Sequence, residues 1–209
     1  MKCKSFLLPL SVLTLLILSA DSTRSQTVVT FDDLRETGSG SFIPNGYQGL
    51  VWSNCVARNA ILFTDFPGVG TSGYYYGMVS ASNVALDAFG NTVEIDSPAK
   101  FNFLSVYLTG AWDSNLNIEV QGFSGTTSLY DTTVVASATS PTLFTFNYLN
   151  IDRLDFSSSG GQNAGFPLGS GVDFAIDNFS FEFVPEPSSL LLATAAALLL
   201  CPLLKRKRA

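Results

Sequence analysis

The 209-residue chain has no histidine. That absence removes a Ser-His-Asp triad, a Cys-His dyad and any zinc or iron site built on imidazole. Cysteine is almost as scarce. Of the three, Cys3 lies between two lysines at the N-terminus and Cys201 in a C-terminal apolar run, leaving Cys55 alone in the body. One thiol cannot close an internal disulfide. Following Trp52-Ser53-Asn54, Cys55 reads as a small core residue and not as a reactive thiol. Positive charge is also thin. Between residues 26 and 184 only Arg35, Arg58, Lys100 and Arg153 stand against 15 acids, a net of −11, whereas the whole chain is −6 because its ends are basic. An acidic body excludes nucleic acid and anionic lipid headgroups as partners and suits cations. Helix signals are missing from the body as well.

Strand signals fill it instead. Short runs rich in Val, Phe, Tyr, Thr and Ile lie between Gly, Asn, Asp, Ser and Pro. They predict strands over 28–31, 50–52, 61–63, 92–95, 101–109, 116–123, 128–136, 143–147, 151–156 and 173–183. Leu116, Ile118 and Val120 alternate with Asn117, Glu119 and Gln121, one face apolar and the other polar. In the last run Phe174 and Ile176 are out of step with Phe179, Phe181 and Phe183, which predicts a turn or bulge at Asp177-Asn178. The segment 157–171, rich in Ser and Gly, reads as a surface loop. About ten strands without helices predict an all-β, two-sheet jelly-roll sandwich, with Phe supplying the core. Trp52 and Trp112 read as core residues.

Three constellations could carry chemistry. Asp32 and Asp33 follow the first strand and Asp177 lies on the last. First and last strands of such sandwiches lie side by side, where carboxylates could share a structural calcium. The same residue types also cap turns. Tyr74, Tyr75 and Tyr76 are consecutive, and flat aromatic faces with hydroxyls suit a glycan platform. Three neighbours cannot all face one way in a strand, so at least one is exposed and the others could fill the core. Glu94 and Glu119 are carboxylates on outward strand positions, and a pair at the right spacing could cleave a glycoside. Charged residues are expected at such positions anyway. The triplet Asn178-Phe179-Ser180 fits the glycosylation acceptor pattern but lies in a predicted core strand.

The two ends speak of destination. Lys2 and Lys4 precede an apolar stretch over 6–18 and then small residues, the layout of a secretory signal peptide over 1–25, with cleavage after Ala20 or Ser25. At the other end Pro185, Glu186 and Pro187 lead into 17 uncharged residues, 188–204, followed by Lys205-Arg206-Lys207-Arg208. At about 1.5 Å per residue that run reaches roughly 25 Å, enough for one short transmembrane helix with its basic end in the cytoplasm. Motif, helix and basic end resemble the PEP-CTERM sorting signal of bacterial proteins handed to an exosortase. The resemblance implies recognition at Pro185, Glu186 and Pro187, an inner-membrane-anchored precursor, and delivery to the cell surface or extracellular matrix.

The body in between is similar to a family of secreted proteins of unestablished activity, some with this same tail. The similar residues are Phe31-Asp32-Asp33-Leu34, 43–50 with 52–54, 103–109 with Ala111-Trp112, 156–161 and 174–179. This resemblance implies a galactose-binding-like or carbohydrate-module-like sandwich over 26–184 and offers no catalytic residue. The resulting expectation is an exported protein with a structural or adhesive role in an exopolysaccharide layer and no enzymatic activity. A carbohydrate-binding module is the alternative, and a glycoside-active enzyme the third reading.

Overall fold

The computed structural model describes residues 25–167 and 169–185. Ten strands run β1 (Thr27–Val29), β2 (Ser41–Phe42), β3 (Val51–Ser53), β4 (Cys55–Asn59), β5 (Asn83–Asp87), β6 (Val93–Gly110), β7 (Asp113–Ser124), β8 (Thr127–Ala136), β9 (Thr142–Asn163) and β10 (Phe174–Phe183). All their pairings are antiparallel. β6 and β9 are long and serve both layers of a sandwich-like sheet. The start of β6 and the end of β9 join β3, β7 and β8, while the end of β6 and the start of β9 join β10, β5, β4 and β2. The ladder between them shifts register from Asp96 to Ser105, so one hydrogen-bonded sheet turns over on itself. As expected, β1 lies against β10, with Val28 opposite Ser180.

The main core lies between the layers. Leu116, Ile118 and Val120 of β7 are fully buried, as their alternation requires. On β10 the period breaks at the expected place: register slips between Asp177 and Ser180, and Asn178 takes a left-handed conformation. The slip lets Phe174 and Ile176 as well as Phe179 and Phe181 face inward. Phe103 stacks on Phe179 at 5.0 Å between centroids, and Trp52 packs edge-on against Phe31 and Phe179. Each fully buried aromatic of this kind contributes roughly 1.5–3 kcal/mol by leaving water. Cys55 is a free thiol in this core, and burial pushes its pKa far up. Trp52 and Trp112 are both buried, the latter in a second cluster.

Three expectations need correction. Among the described residues the body has two short α-helices, α1 (Ala60–Thr64) and α2 (Gly73–Tyr76), and a 3-10 turn over Tyr47–Gly49. The predicted strand at 61–63 is α1, because the Asn59 side chain accepts from Leu62 N at 3.0 Å and caps a helical turn. The tyrosine triplet lies on α2. The two runs 143–147 and 151–156 are one strand, β9, whose ladder continues through Asn163 with Gly160 and Gly161 at positive φ. The loop is correspondingly shorter. Among the described residues no helix is long and apolar enough to cross a membrane. The expected transmembrane helix at 188–204 and the signal peptide, save Ser25, lie outside the described residues.

The second cluster forms on the outer face of β4, β5 and β10, under α1 and α2. It holds Ala60, Tyr74, Val84, Leu86, Ala111, Trp112 and Ala175, with Phe63 and Phe166 packed against it. Gly73 makes this possible. A Cβ there would sit 1.7 Å from the Gly110 carbonyl oxygen, and Gly73 N donates to Ala111 O at 2.8 Å. Only glycine allows α2 to lie this close to the end of β6.

Candidate functional site

At the rim of this second cluster lies a cavity of about 270 Å³. Three strands, one helix and the segment before β10 supply its wall. β2 brings Phe42, β4 brings Val56 and Arg58, α2 brings Tyr74, β5 ends there on Leu86 and Asp87, and Asp173 stands just before β10. Ala88 and Phe89 follow β5 around its lip. The cavity is near the low end of the roughly 300–1,000 Å³ range of small-ligand pockets.

The polar groups of this wall are unusual for their burial. Asp87 is 0% exposed. Its Oδ1 accepts from Phe174 N at 2.7 Å, while Oδ2 is buried and has no hydrogen-bond partner. Burial, aided by the Asp173 charge, pushes its pKa up to about 7 against the pull of backbone N–H groups. Asp173 is half-buried and also raised by burial; Trp112 and Arg58 oppose that rise. The Arg58 guanidinium lies 4.2 Å over the Phe63 ring and 5.2 Å from the Tyr74 centroid. Its Nη2 donates to Ser39 O at 3.4 Å and its buried Nε has no partner. Burial lowers its pKa, and Asp173 and Tyr74 hold it up. Tyr74 itself is pushed well up by burial and by the two carboxylates.

The lip is apolar and exposed. Phe42 faces solvent, and Phe89 is 92% exposed with φ 61. A left-handed backbone is uncommon for a bulky residue and costs on the order of 1–2 kcal/mol. Phe89 recovers none of it through burial within the domain. It stands as a flat hydrophobic face beside a polar floor, the combination that receives a sugar ring or a similar small polar ligand.

The sequence-predicted residues are distributed differently. Tyr74 is 3% exposed, lines the cavity and packs edge-on against Trp112 and Phe63. Tyr75 and Tyr76 lie outside at 38% and 36%, and Tyr76 stacks on Phe166. Asp32 Oδ1 accepts from Asn83 N at 2.9 Å, and Asn83 Nδ2 in turn donates to the carbonyls of Phe31 and Leu34. Asp33 accepts from the Tyr47 hydroxyl. Asp177 accepts from Val79 N, Ser80 N, Ser80 Oγ and Asn178 N, fastening the strap before β5 onto β10. Its pKa is raised by burial to about 6. A calcium shell is a cage of oxygen acceptors, and the Asp177 carboxylate is surrounded by donors, so these residues do not fit a shared ion as they stand. Among the described residues no group of three or more His, Cys, Asp or Glu side chains is placed to hold a metal. Glu94 and Glu119 stand in one layer with β9 between them; Glu119 accepts from Ser157 Oγ. Of the sorting motif only Pro185 is described, and it is exposed; Glu186 and Pro187 lie outside the described residues.

Arg58, Asp87, Phe42 and Phe89 were not singled out from the sequence. One signal was available. Asp87 ends the apolar run Val84-Ala85-Leu86, with Ala88-Phe89 beyond, a charge placed where a strand should be burying itself.

No family model matches the sequence, and no curated protein matches it. Among solved structures the chain is similar to a DUF4465 family protein from Bacteroides caccae, at 11% identity and a TM-score of 0.51, covering 75% of this chain and 98% of that one. A DUF4465 family protein from Bacteroides ovatus follows at 8% identity and a TM-score of 0.45, covering 77% and 99%. TmCBM61 in complex with beta-1,4-galactotriose gives 11% identity and a TM-score of 0.33, covering 68% and 95%. The first of these shares the antiparallel, sandwich-like fold described above and speaks to fold alone.

Proposed function

We propose that this protein is an exported carbohydrate-binding module on a galactose-binding-like jelly roll, holding polysaccharide of the cell surface or extracellular matrix. One observation carries the binding reading. A cavity with a fully buried, half-unsatisfied carboxylate opens between exposed aromatic faces, and such a wall recognises a small polyhydroxylated ligand. The role is adhesive and involves no turnover. The tail reading supports the destination: an exosortase would act at Pro185, Glu186 and Pro187 after inner-membrane anchoring by 188–204.

Two experiments test it. The secreted form is applied to a broad glycan array, and hits are repeated with Phe89→Ala. Binding to at least one glycan, weakened about tenfold by the variant, is expected; an array without a hit removes the module reading. Intact mass of the protein from its own host, with and without the exosortase, tests sorting. A released form ending near Pro185 to Pro187 is expected only with the enzyme present. A full-length tail in both hosts reduces 188–204 to a plain anchor.

A further inference from the structure

Resting on that glycan-binding reading, we propose that the cavity takes the primary ammonium of an unacetylated amino sugar, held by Asp87 Oδ2. The charged and titratable groups facing Asp87 are few. Cys55 lies opposite it on β4, Arg58 comes from the same strand, Tyr74 from α2 and Asp173 from the segment before β10. The one cation among them is matched to the other carboxylate: Arg58 and Asp173 each hold the other toward its charged form. Arg58 is further held by its two aromatic rings and by Ser39 O. The described ion pairs, Lys100–Asp152 and Arg153–Asp155, lie elsewhere. Asp87 is therefore a buried acid outside the described ion pairs, and one of its oxygens is without a donor.

An ammonium supplies both. It brings positive charge and three N–H donors to a site that offers acceptors. A hydroxyl beside the amine would supply the matching acceptor for Arg58 Nε, which is buried without one. A 1,2-amino alcohol is the arrangement an amino sugar presents on its ring, and Phe42 and Phe89 can cover the ring's apolar C–H faces. A neutral sugar leaves the charge of Asp87 unmatched. N-acetylation removes the positive charge and adds bulk. A uronate sets its own carboxylate against two others. The body's net charge of −11 also favours approach of a cationic chain. Asp87 is partly protonated near neutral pH, so capture of an ammonium expels a proton there.

The test is titration calorimetry at pH 7 on the exported protein, in two buffers of different ionisation heat. The probes are the trimers of glucosamine, N-acetylglucosamine, glucose and galacturonate, with cadaverine as an amine lacking a sugar. The glucosamine trimer should bind at least tenfold more tightly than every other probe, with proton release, and should lose at least tenfold in Asp87→Asn. Asp173→Asn, which leaves Arg58 unmatched, should weaken it by a smaller factor. An acetylated, neutral or acidic trimer of equal affinity, or an unchanged Asp87→Asn, would overturn the amine assignment while leaving glycan binding standing. Cadaverine of equal affinity would overturn its sugar part. If no trimer binds, the glycan reading falls with it.

Discussion

The core between the layers and the cluster beneath α1 and α2 bury different things. The first is built from Phe and aliphatic side chains of β6, β7, β9 and β10 and has no ionised group among its members. The second is small, rich in aromatic rings, and bordered by Arg58 and Asp173 with Asp87 at the cavity's floor. Apolar contacts in the first depend on volume alone, so they tolerate no gap but need no partner. Polar groups at the edge of the second depend on direction, and two of their atoms remain unmatched. A domain can hold such atoms only if a separate core makes it stable regardless.

That contrast can be broken at its strong end first. Phe179→Ala removes a ring packed on Trp52, Phe103 and Phe181 and is expected to cost about 3–5 kcal/mol in chemical denaturation. The buried Cys55 thiol should then become open to alkylation in mild denaturant. Gly73→Ala comes next. Its Cβ collides with a backbone carbonyl, so α2 must move away, at roughly 1–3 kcal/mol. Here the two clusters should part company: Cys55 stays protected while glycan binding is lost. Early labelling of Cys55 in this variant would mean that the clusters melt as one unit.

Asp87→Asn sharpens the comparison through pH. The native chain keeps the Asp87 proton to about pH 7, and the unfolded chain releases it near 3.8. Between those values the native state binds more protons, so stability falls as pH rises. The neutral amide should therefore add roughly 1–3 kcal/mol at pH 8 and little at pH 4, while binding drops. A flat difference across pH would show that Asp87 titrates normally. The smallest effect on stability belongs to Phe89→Ala, within about 0.5 kcal/mol, because the ring buries nothing in the domain. A large loss would mean that Phe89 packs inward in solution.

Much of the first cluster could be read from the chain. The alternation at Leu116, Ile118 and Val120 assigns a face to each residue, and the broken period at Asp177-Asn178 locates the bulge that the ladder then shows. Both signals are local and follow from the two-residue repeat of a strand. The pairing of β1 with β10 came from the architecture expected of such sandwiches. The second cluster was hidden because its pieces are far apart in sequence: Arg58, Tyr74, Asp87, Trp112 and Asp173 come from five segments. α2 depends on Gly73 resting against Gly110, a contact without local trace. Tyr74 to Tyr76 were noticed as rings, and their division between interior and surface was settled by a helical turn of four residues.

One strand also fixes how this protein would carry load. β10 starts beside the cavity, where Phe174 N holds Asp87, and ends at Phe183, next to the C-terminal segment. It lies between β6 on one side and β5 and β1 on the other. Its ladder bonds run across the strand, so tension between a captured ligand and a C-terminal tether would load those bonds together in shear. Shear resists far more than peeling, since no single bond can fail first. The strand that shapes the cavity is thus also the cable from which it would hang.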